Sequence, residues 1–437
     1  MASEWNSYGI QDLIDQEKLV IGDGYRAKNE ELSKEGLPFA RAGNINNGFH
    51  FDNADHFPLR NLAKIGNKLS RAGDVVFTSK GTVGRFAYVR TDTQQFVYSP
   101  QLCFWRSIDE EFIDPRFLYF WMFGREFYVQ YKGVAGQTDM AEYVSLTDQR
   151  RMNISLPNID EQREISRVLG AIDDRIELNR KMNETLETMA RALFKSWFVD
   201  FDPVRAKAEG RPTGLPDSIA ALFPDSFEDT EFGEVPSGWK PVPLPELIAV
   251  NPSRSLSKGA IAPYLDMANM PTAGHSPVEV IDRPYGSGMR FMNGDTLVAR
   301  ITPCLENGKT AFVDILNDGQ IGWGSTEYIV LRPKSPLPEE FAYFLARSKD
   351  FRKFAIQSMT GSSGRQRVPA DSLSHFMIAK PDKDVAKLFG RLVKPHFERA
   401  REAASEIRTL AHLRDALLPK LISGEIRLSA NAVEAPE

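Results

Sequence analysis

A chain of 437 residues exceeds one ordinary hydrophobic core, so two or three domains are expected. With 42% hydrophobic and 26% charged residues it has the composition of a globular protein, and no run of ~18 apolar residues is present to span a membrane. Only two cysteines, Cys103 and Cys304, occur, which excludes a disulfide framework or a zinc set. They fit a reducing compartment, and the N-terminus lacks a basic-then-apolar leader pattern, so a cytoplasmic location without membrane contact is expected. The net charge of −5 argues against a uniformly basic surface, but the acidity is local: residues 158–235 carry 10 basic and 17 acidic groups. Patches, not the total, therefore decide whether phosphates can be bound.

Residues 1–157 read as a first globular unit of short strands and a few helices. In "RAGDVVFTSKGTVGRFAYV" (from Arg71) a Gly-Asp pair leads into a strand, a Gly-rich polar turn follows, and a second strand closes it. The turn offers Ser79, Lys80, Thr82 and Arg85, hydroxyls and cations suited to phosphates or base edges. Gln101 follows the strand-like "FVYSP", and "YKGVAGQTDM" adds Lys132, Gln137 and Thr138. Between them "DPRFLYFWM" (from Asp114) reads as a helix.

From 158 to 199 the pattern changes to a long helix. Ile165, Leu169, Ile172, Ile176, Asn179, Asn183, Leu186, Ala190, Leu193 and Trp197 step by threes and fours, the narrow seam of a coiled coil. Asn158 and Glu161 are spaced as a capping box. The adjacent Asp173 and Asp174 read as a solvated face or a partner contact. Residues 200–235, rich in Pro, Gly and acidic groups, read as a linker.

Residues 236–381 repeat the first plan. "MNGDTLVARITPCLENGKTAFV" (from Met292) again has Gly-Asp, strand, polar turn and strand, with Arg300, Thr302 and Lys309 in the turn. "PEEFAYFLA" (from Pro338) matches the earlier helix, Phe117 falling on Phe341 at an offset of 224. Across residues 341–367 Arg347, Lys349, Arg352, Lys353, Arg365 and Arg367 are opposed only by Asp350. Within that stretch "TGSSGRQRV" (from Thr360) is a loop bearing Ser362, Ser363, Arg365 and Arg367. Taken singly each of these side chains is more simply a solvated group; as a set the basic cluster points to phosphate. Residues 382–428 form a second helical segment whose seam includes Ala403, Ile407, Leu410, Leu417 and Leu421. Gly390 and Pro395 lie inside it and predict a kink or a late start. Residues 429–437 read as a disordered tail.

The order is thus globular unit, helix, linker, globular unit, helix. The expected fold class is α+β, with two pseudo-symmetric mixed α/β domains separated by two long helices paired as an antiparallel coiled coil. Pairing would involve Ile172, Ile176, Asn179, Leu186 and Leu193 with Ile407, Leu410 and Leu417. A helix of ~38 residues at ~1.5 Å per residue spans about 57 Å, a ruler with a similar reader at each end. Such a body suits a target with two separated half-sites, or equally a scaffold carrying two copies of a partner. No His-Glu-x-x-His, phosphate loop or adenine-methylation motif is present, so no catalytic or metal-binding residue is assigned.

The stretch "LPNIDEQREISRVLGAIDDRIELNRKMNETLETMARALFKSWFVDF" resembles the central region of type I restriction-modification specificity subunits. Pro157, Glu161, Gln162 and Ile165 match that family's Pro-x-x-x-Glu-Gln-x-x-Ile opening. "FGEVPSGW" (Phe232 to Trp239) and "LRDALLPKLISGEIRL" (Leu413 to Leu428) resemble two further family regions. The second helix departs from the pattern, with "PDKDVAKL" where Glu-Gln would stand. The resemblance implies a non-catalytic subunit with two target-recognition domains, each reading one half of a bipartite double-stranded DNA target. It implies two methylation subunits as partners, which hold S-adenosylmethionine, and restriction subunits, with ATP and Mg, that can join. No cofactor is expected on this chain. A coiled-coil scaffold that binds no DNA is the competing reading, and a self-contained DNA-modifying enzyme a third.

Overall fold

The computed structural model describes residues 5–46, 48–80, 84–135, 144–277, 279–362 and 364–428. Of the expected contact residues, Thr82, Gln137, Thr138 and Ser363 lie outside the described residues, as does the segment 429–437. The chain divides into two compact units, Met1–Ile176 with Thr409–Glu437, and Glu177–Arg408.

The first unit begins with β1 (Asn6–Gly9), α1 (Ile10–Asp15), β2 (Leu19–Asp23), β3 (Leu37–Ala40) and β4 (His56–Phe57). It continues with β5 (Val75–Thr78), β6 (Phe86–Tyr88), β7 (Val97–Tyr98) and β8 (Leu102–Ser107). Then come α2 (Pro115–Trp121), α3 (Arg125–Ala135), α4 (Leu146–Arg150), β9 (Asn153–Leu156) and the start of α5 (Ile159–Phe198). An antiparallel sheet runs β2-β8-β5-β6, and a small sheet β4-β3-β7 has its β3–β7 pair parallel. The strands at the centre of the larger sheet are buried along their length, which is why "VVF" and "LCFW" show no polar alternation. Asp114 caps α2, its carboxylate accepting from Phe117 N at 2.7 Å, and Pro115 occupies the first turn, where a missing N–H costs nothing. On the helix side of the large sheet Trp105, Trp121, Phe127 and Phe77 form a core with Ile165 and Leu169 of α5.

The second unit holds the rest of α5, then α6 (Asp202–Ala208), α7 (Asp217–Ala220), β10 (Phe227–Thr230) and β11 (Gly233–Pro236). Next are β12 (Pro241–Pro243), α8 (Leu244–Leu247), β13 (Ile248–Val250), β14 (Ile261–Leu265), β15 (Ile281–Pro284) and β16 (Met289–Phe291). The unit goes on through β17 (Thr296–Ala299), β18 (Thr310–Phe312), β19 (Gly322–Gly324), β20 (Tyr328–Pro333), α9 (Glu340–Arg347) and α10 (Lys349–Gln357). It closes with β21 (Met377–Ala379) and the start of α11 (Lys383–Ile422). Its large sheet, β13-β20-β17-β18, repeats the antiparallel order of the first, and its small sheet, β15-β14-β19-β16, repeats the parallel pair as β14–β19. Phe341, Phe344 and Tyr343 of α9 pack with Phe194 and Trp197 of α5 and with Phe389 and Phe397 of α11.

Several expectations change here. The second helix starts at Lys383 and is helical through Gly390 and Pro395, so it does not start late. Gly390 is explained by packing: a Cβ there would lie 2.8 Å from Pro338 Cβ. The stretch 200–235, read as a linker, carries α6, α7 and the β10–β11 hairpin, and Val204 and Phe223 belong to the second unit's core. Only half of the capping box forms. Asn158 Oδ1 accepts from Glu161 N at 2.9 Å, while the Glu161 carboxylate takes the Arg427 guanidinium at 2.7 and 2.8 Å instead. Along the α5 seam Ile165, Leu169, Ile176, Asn179, Ala190 and Trp197 are buried, whereas Ile172, Leu186 and Leu193 are half-buried and Phe194 takes the deeper place beside Leu193. On α11 Ile407, Leu410 and Leu417 are half-buried, and Leu418, Leu421 and Ile422 enter the first unit's core.

Candidate nucleic-acid interface

The two Gly-Asp turns are the fixed points from which the loops project. Gly73 and Gly294 have φ of +91° and +83°, where a side chain would strain the backbone. Each following aspartate folds back onto its own turn: Asp74 accepts from Arg71 N and Asp295 from Met292 N, both at 2.9 Å. Each is fully buried and bonded to arginine. Asp74 takes Arg106 Nε at 2.5 Å and Nη2 at 2.7 Å, with the Tyr98 hydroxyl at 2.6 Å. Asp295 takes Arg254 Nη2 at 2.6 and 2.8 Å, and Arg332 Nη1 at 3.4 Å. Register makes Arg106 and Arg332 equivalent, since each follows the β8 or β20 residue paired with the first residue of β5 or β17. Burial opposes the charge on Arg106, but the bonded Asp74 carboxylate outweighs it and raises its pKa; burial and Asp74 together push the Tyr98 phenol well up. The sequence reading saw the Gly-Asp pairs but not their arginines, which lie a whole sheet away in the chain. An isolated Arg in an apolar strand such as "LCFWRS" is the one signal that could have found them.

In the first unit the expected contact residues divide. Ser79 does not reach solvent: it is buried, its N–H bonded to Gln101 O at 3.0 Å, its carbonyl to Val144 N at 3.1 Å, and its hydroxyl to the Cys103 thiol. Lys80 and Arg85 are exposed. The Arg85 guanidinium rests on the carbonyls of Ala42 and Ile45, each at 3.3 Å, and Gln101 Oε1 accepts from Ala42 N at 3.0 Å. Arg85 and Gln101 are thus gathered at the 3-10 turn Ala42–Asn44. Lys132 is also exposed, its ammonium 5.3 Å from the Tyr131 ring, and the Tyr131 hydroxyl lies against Gly84.

In the second unit the turn and the loop that were read separately are stitched together. Thr302 N donates to Gln366 O at 3.0 Å, Thr302 Oγ1 accepts from Gln366 N at 3.1 Å, and Val368 N donates to Arg300 O at 2.9 Å. Ser362 and Arg365 are exposed on that loop, and Lys353 is exposed on α10. The other cations are partly committed. Arg367 holds Glu327 at 2.8 Å, and that carboxylate raises its pKa. Lys309 Nζ donates to Met267 O at 2.6 Å, and Arg352 Nη2 to Glu306 O at 2.8 Å. Arg300 is half-buried, with its Nε inaccessible and unbonded, and Thr302 is buried. The basic set is therefore less open than its sequence suggests. Glu327 joins Asp350 as an opposing acid, and Arg347 is structural, its guanidinium donating to the carbonyls of Thr272, Gly274, Gly308 and Thr310.

The acidic pair on α5 is committed to ion pairs, with Asp173 largely shielded and Asp174 still exposed. Asp173 takes Arg414 at 3.0 Å, and Asp174 takes Arg116 at 2.7 Å and also Arg90. Partial burial would raise the Asp174 carboxyl, yet the two guanidiniums hold it at about 2. Among the described residues no group of three His, Cys, Asp or Glu gathers as a metal site, and no helix is long and apolar enough to cross a membrane.

The family model described as "Type I restriction modification DNA specificity domain" matches residues 2–188. The chain is 23% identical to the "Type I restriction enzyme HindI specificity subunit" of Haemophilus influenzae, over 97% of this chain and 100% of that one. It is 24% identical to the "Type I restriction enzyme MjaIX specificity subunit" of Methanocaldococcus jannaschii, over 82% of this chain and 78% of that one. The crystal structure of a type I restriction-modification system S subunit from M. genitalium shares the fold, with a TM-score of 0.54 and 14% identity over 96% of this chain and 97% of that one.

Proposed function

We propose a function from one premise: the chain belongs to the family of type I restriction-modification specificity subunits. It selects DNA for a type I complex and carries no catalysis of its own. Each unit reads one half of a bipartite target, and methylation and restriction subunits assemble on the chain. S-adenosylmethionine would then be held by the methylation subunits, and ATP with Mg by the restriction subunits. The observation that carries this reading is the strand-for-strand repeat of the large sheet, each copy with the buried aspartate of its Gly-Asp turn bonded to an arginine of the neighbouring strand. Two copies of one reader in one chain are what a two-part target requires.

The finer parts of the proposal are three. The domains are residues 1–157 and 236–381, each followed by a helix. The helices α5 and α11 pair antiparallel as a coiled coil and set the gap between half-sites. At 40 residues each they are about 60 Å long at ~1.5 Å per residue. The buried Asn179 suits a position that fixes register at some cost in stability. Contact with DNA falls to the exposed side chains Lys80, Arg85, Gln101 and Lys132 in one unit and Lys353, Ser362 and Arg365 in the other.

The test is to co-express the chain with its methylation subunit and map modified adenines across a genome. A bipartite motif is expected, and exchanging residues 1–157 for those of a relative should change one half of it only. A motif in one block, or one indifferent to the exchange, would refute the proposal.

A further inference from the structure

The small sheets of the two units have the same pairing but opposite fates on one face. In the first unit Phe39 pairs with Val97, and Leu37 with Phe57. In the second the equivalent pairs are Tyr264 with Trp323, and Ala262 with Arg283. The other face is core in both: Ala40 and Tyr98 in one, Leu265 and Phe291 in the other. In the first unit the chain passes from β4 to β5 through 3-10 turns at Leu59–Lys64 and Gly66–Lys68. Those turns bring Ile65, Leu62 and Leu69 over Phe39, Phe57 and Val97, making a closed apolar cluster. In the second unit the chain passes from β15 to β17 through β16, which joins the sheet edge beside β19 and leaves the face uncovered by any such turns.

What stands on that face is a patch of rings and cations, with Trp323 buried at its centre and Arg283 in the open. Tyr264 and Tyr285 flank Trp323, with ring centroids 4.5 and 5.4 Å apart. The Arg283 guanidinium lies 4.8 Å from the Tyr264 ring and that of Arg290 5.9 Å from the Tyr285 ring. Neither guanidinium has a carboxylate partner among the described residues. Where the first unit has Phe57, wholly buried, the second has Arg283, exposed. The Trp323 indole N–H is buried without a partner, and Ile281 on the edge strand β15, opposite Tyr264, is 44% exposed. Two rings hold two planar cations in place at an open surface, so little side-chain freedom is lost when each meets an anion.

We infer that this face of the second unit grips the phosphodiester backbone of duplex DNA through Arg283 and Arg290, and that the first unit has no counterpart because its own chain covers the equivalent face. The inference rests on the DNA-reading function proposed above. The occupant is chosen by charge: two unpaired guanidiniums of one sign on a rigid sheet complement the two phosphates of a strand, and phosphate contacts position a reader without specifying bases.

The experiment uses the chain assembled with its methylation subunits and a duplex carrying the mapped methylation sequence. Affinity is measured against salt for the unaltered complex, for Arg283→Gln with Arg290→Gln, and for Arg283→Lys with Arg290→Lys. The glutamine pair should bind more weakly and flatten the log–log salt slope by about 1.8, or roughly 0.9 for each phosphate released. The lysine pair should keep the slope, and all three should methylate the same sequence. An unchanged slope for the glutamine pair overturns the inference, as does an equal loss with lysine, which would mark the arginines as structural. A changed methylation sequence would also overturn it, because the arginines would then be reading bases. Failure of the unaltered complex to bind DNA in a salt-dependent way would instead sink the functional reading beneath it.

Discussion

Arg106 shows how one buried charge can hold a loop-bearing sheet in place. Its guanidinium and the Asp74 carboxylate are both shut away from water, so each depends on the other. Arg106→Ala should destabilise the protein by about 3–5 kcal/mol, because the buried Asp74 carboxylate would be left with no counter-ion. Urea unfolding of the full chain measures this. Replacing both partners by apolar residues should recover only part of the loss, since the Tyr98 hydroxyl and Arg71 N–H would then lack their acceptor. A cost below about 1 kcal/mol for Arg106→Ala would mean that water reaches Asp74. The same reasoning separates Ser79 from Lys80. They are neighbours in one polar turn, but Ser79 is bonded inward to Gln101, Val144 and Cys103 while Lys80 stands out in solvent.

At the level of elements, α11 contradicts local propensity in two places and is helical through both. Gly390 is tolerated in the helix because Pro338 comes so close that a Cβ would stand 2.8 Å from its ring. Two effects therefore oppose each other in Gly390→Ala. Helix propensity favours alanine by about 1 kcal/mol, while forcing a methyl into a filled contact costs about 1–3 kcal/mol. The packing effect should win, and Gly390→Ala should lower the melting temperature of the full chain. A rise would show that Pro338 yields easily. Pro395 lies on the same helix between Val393 and Phe397, both buried in the second unit's core. Tertiary burial of that apolar face supplies what the missing N–H takes away.

For the whole molecule, the proposal makes the long helices a measure of distance. Inserting about one helical turn, ~4 residues, within 172–190 should lengthen the gap of the methylated motif and leave both half-sites intact. Mapping modified adenines in cells that carry the insertion reads this directly, and an unchanged gap would remove the ruler from the proposal. The two readers are not equivalent in this picture. One has sealed its small sheet with its own chain, while the other presents arginines there. Half-site affinities should therefore respond unequally to salt.

The sequence by itself determined the duplication, the two long helices and the position of the polar turns. Each of these is written in local pattern: threes and fours along α5, Gly-Asp before a strand, an apolar run after a capped turn. Lys80, Arg85, Lys353 and Arg365, named from the sequence as candidate contacts, are all exposed, although Arg85 also rests on the distant carbonyls of Ala42 and Ile45. Only the tertiary structure decided which of the remaining cations are spoken for. Arg347, Arg367 and Arg106 meet carbonyls or carboxylates far away in the chain. Only it, too, decided that equivalent faces of two matching sheets become a core in one unit and a surface in the other. The reason is physical: whether a face is covered depends on where the connecting chain runs after the strand ends, and that route is set by packing rather than by the strand's own residues.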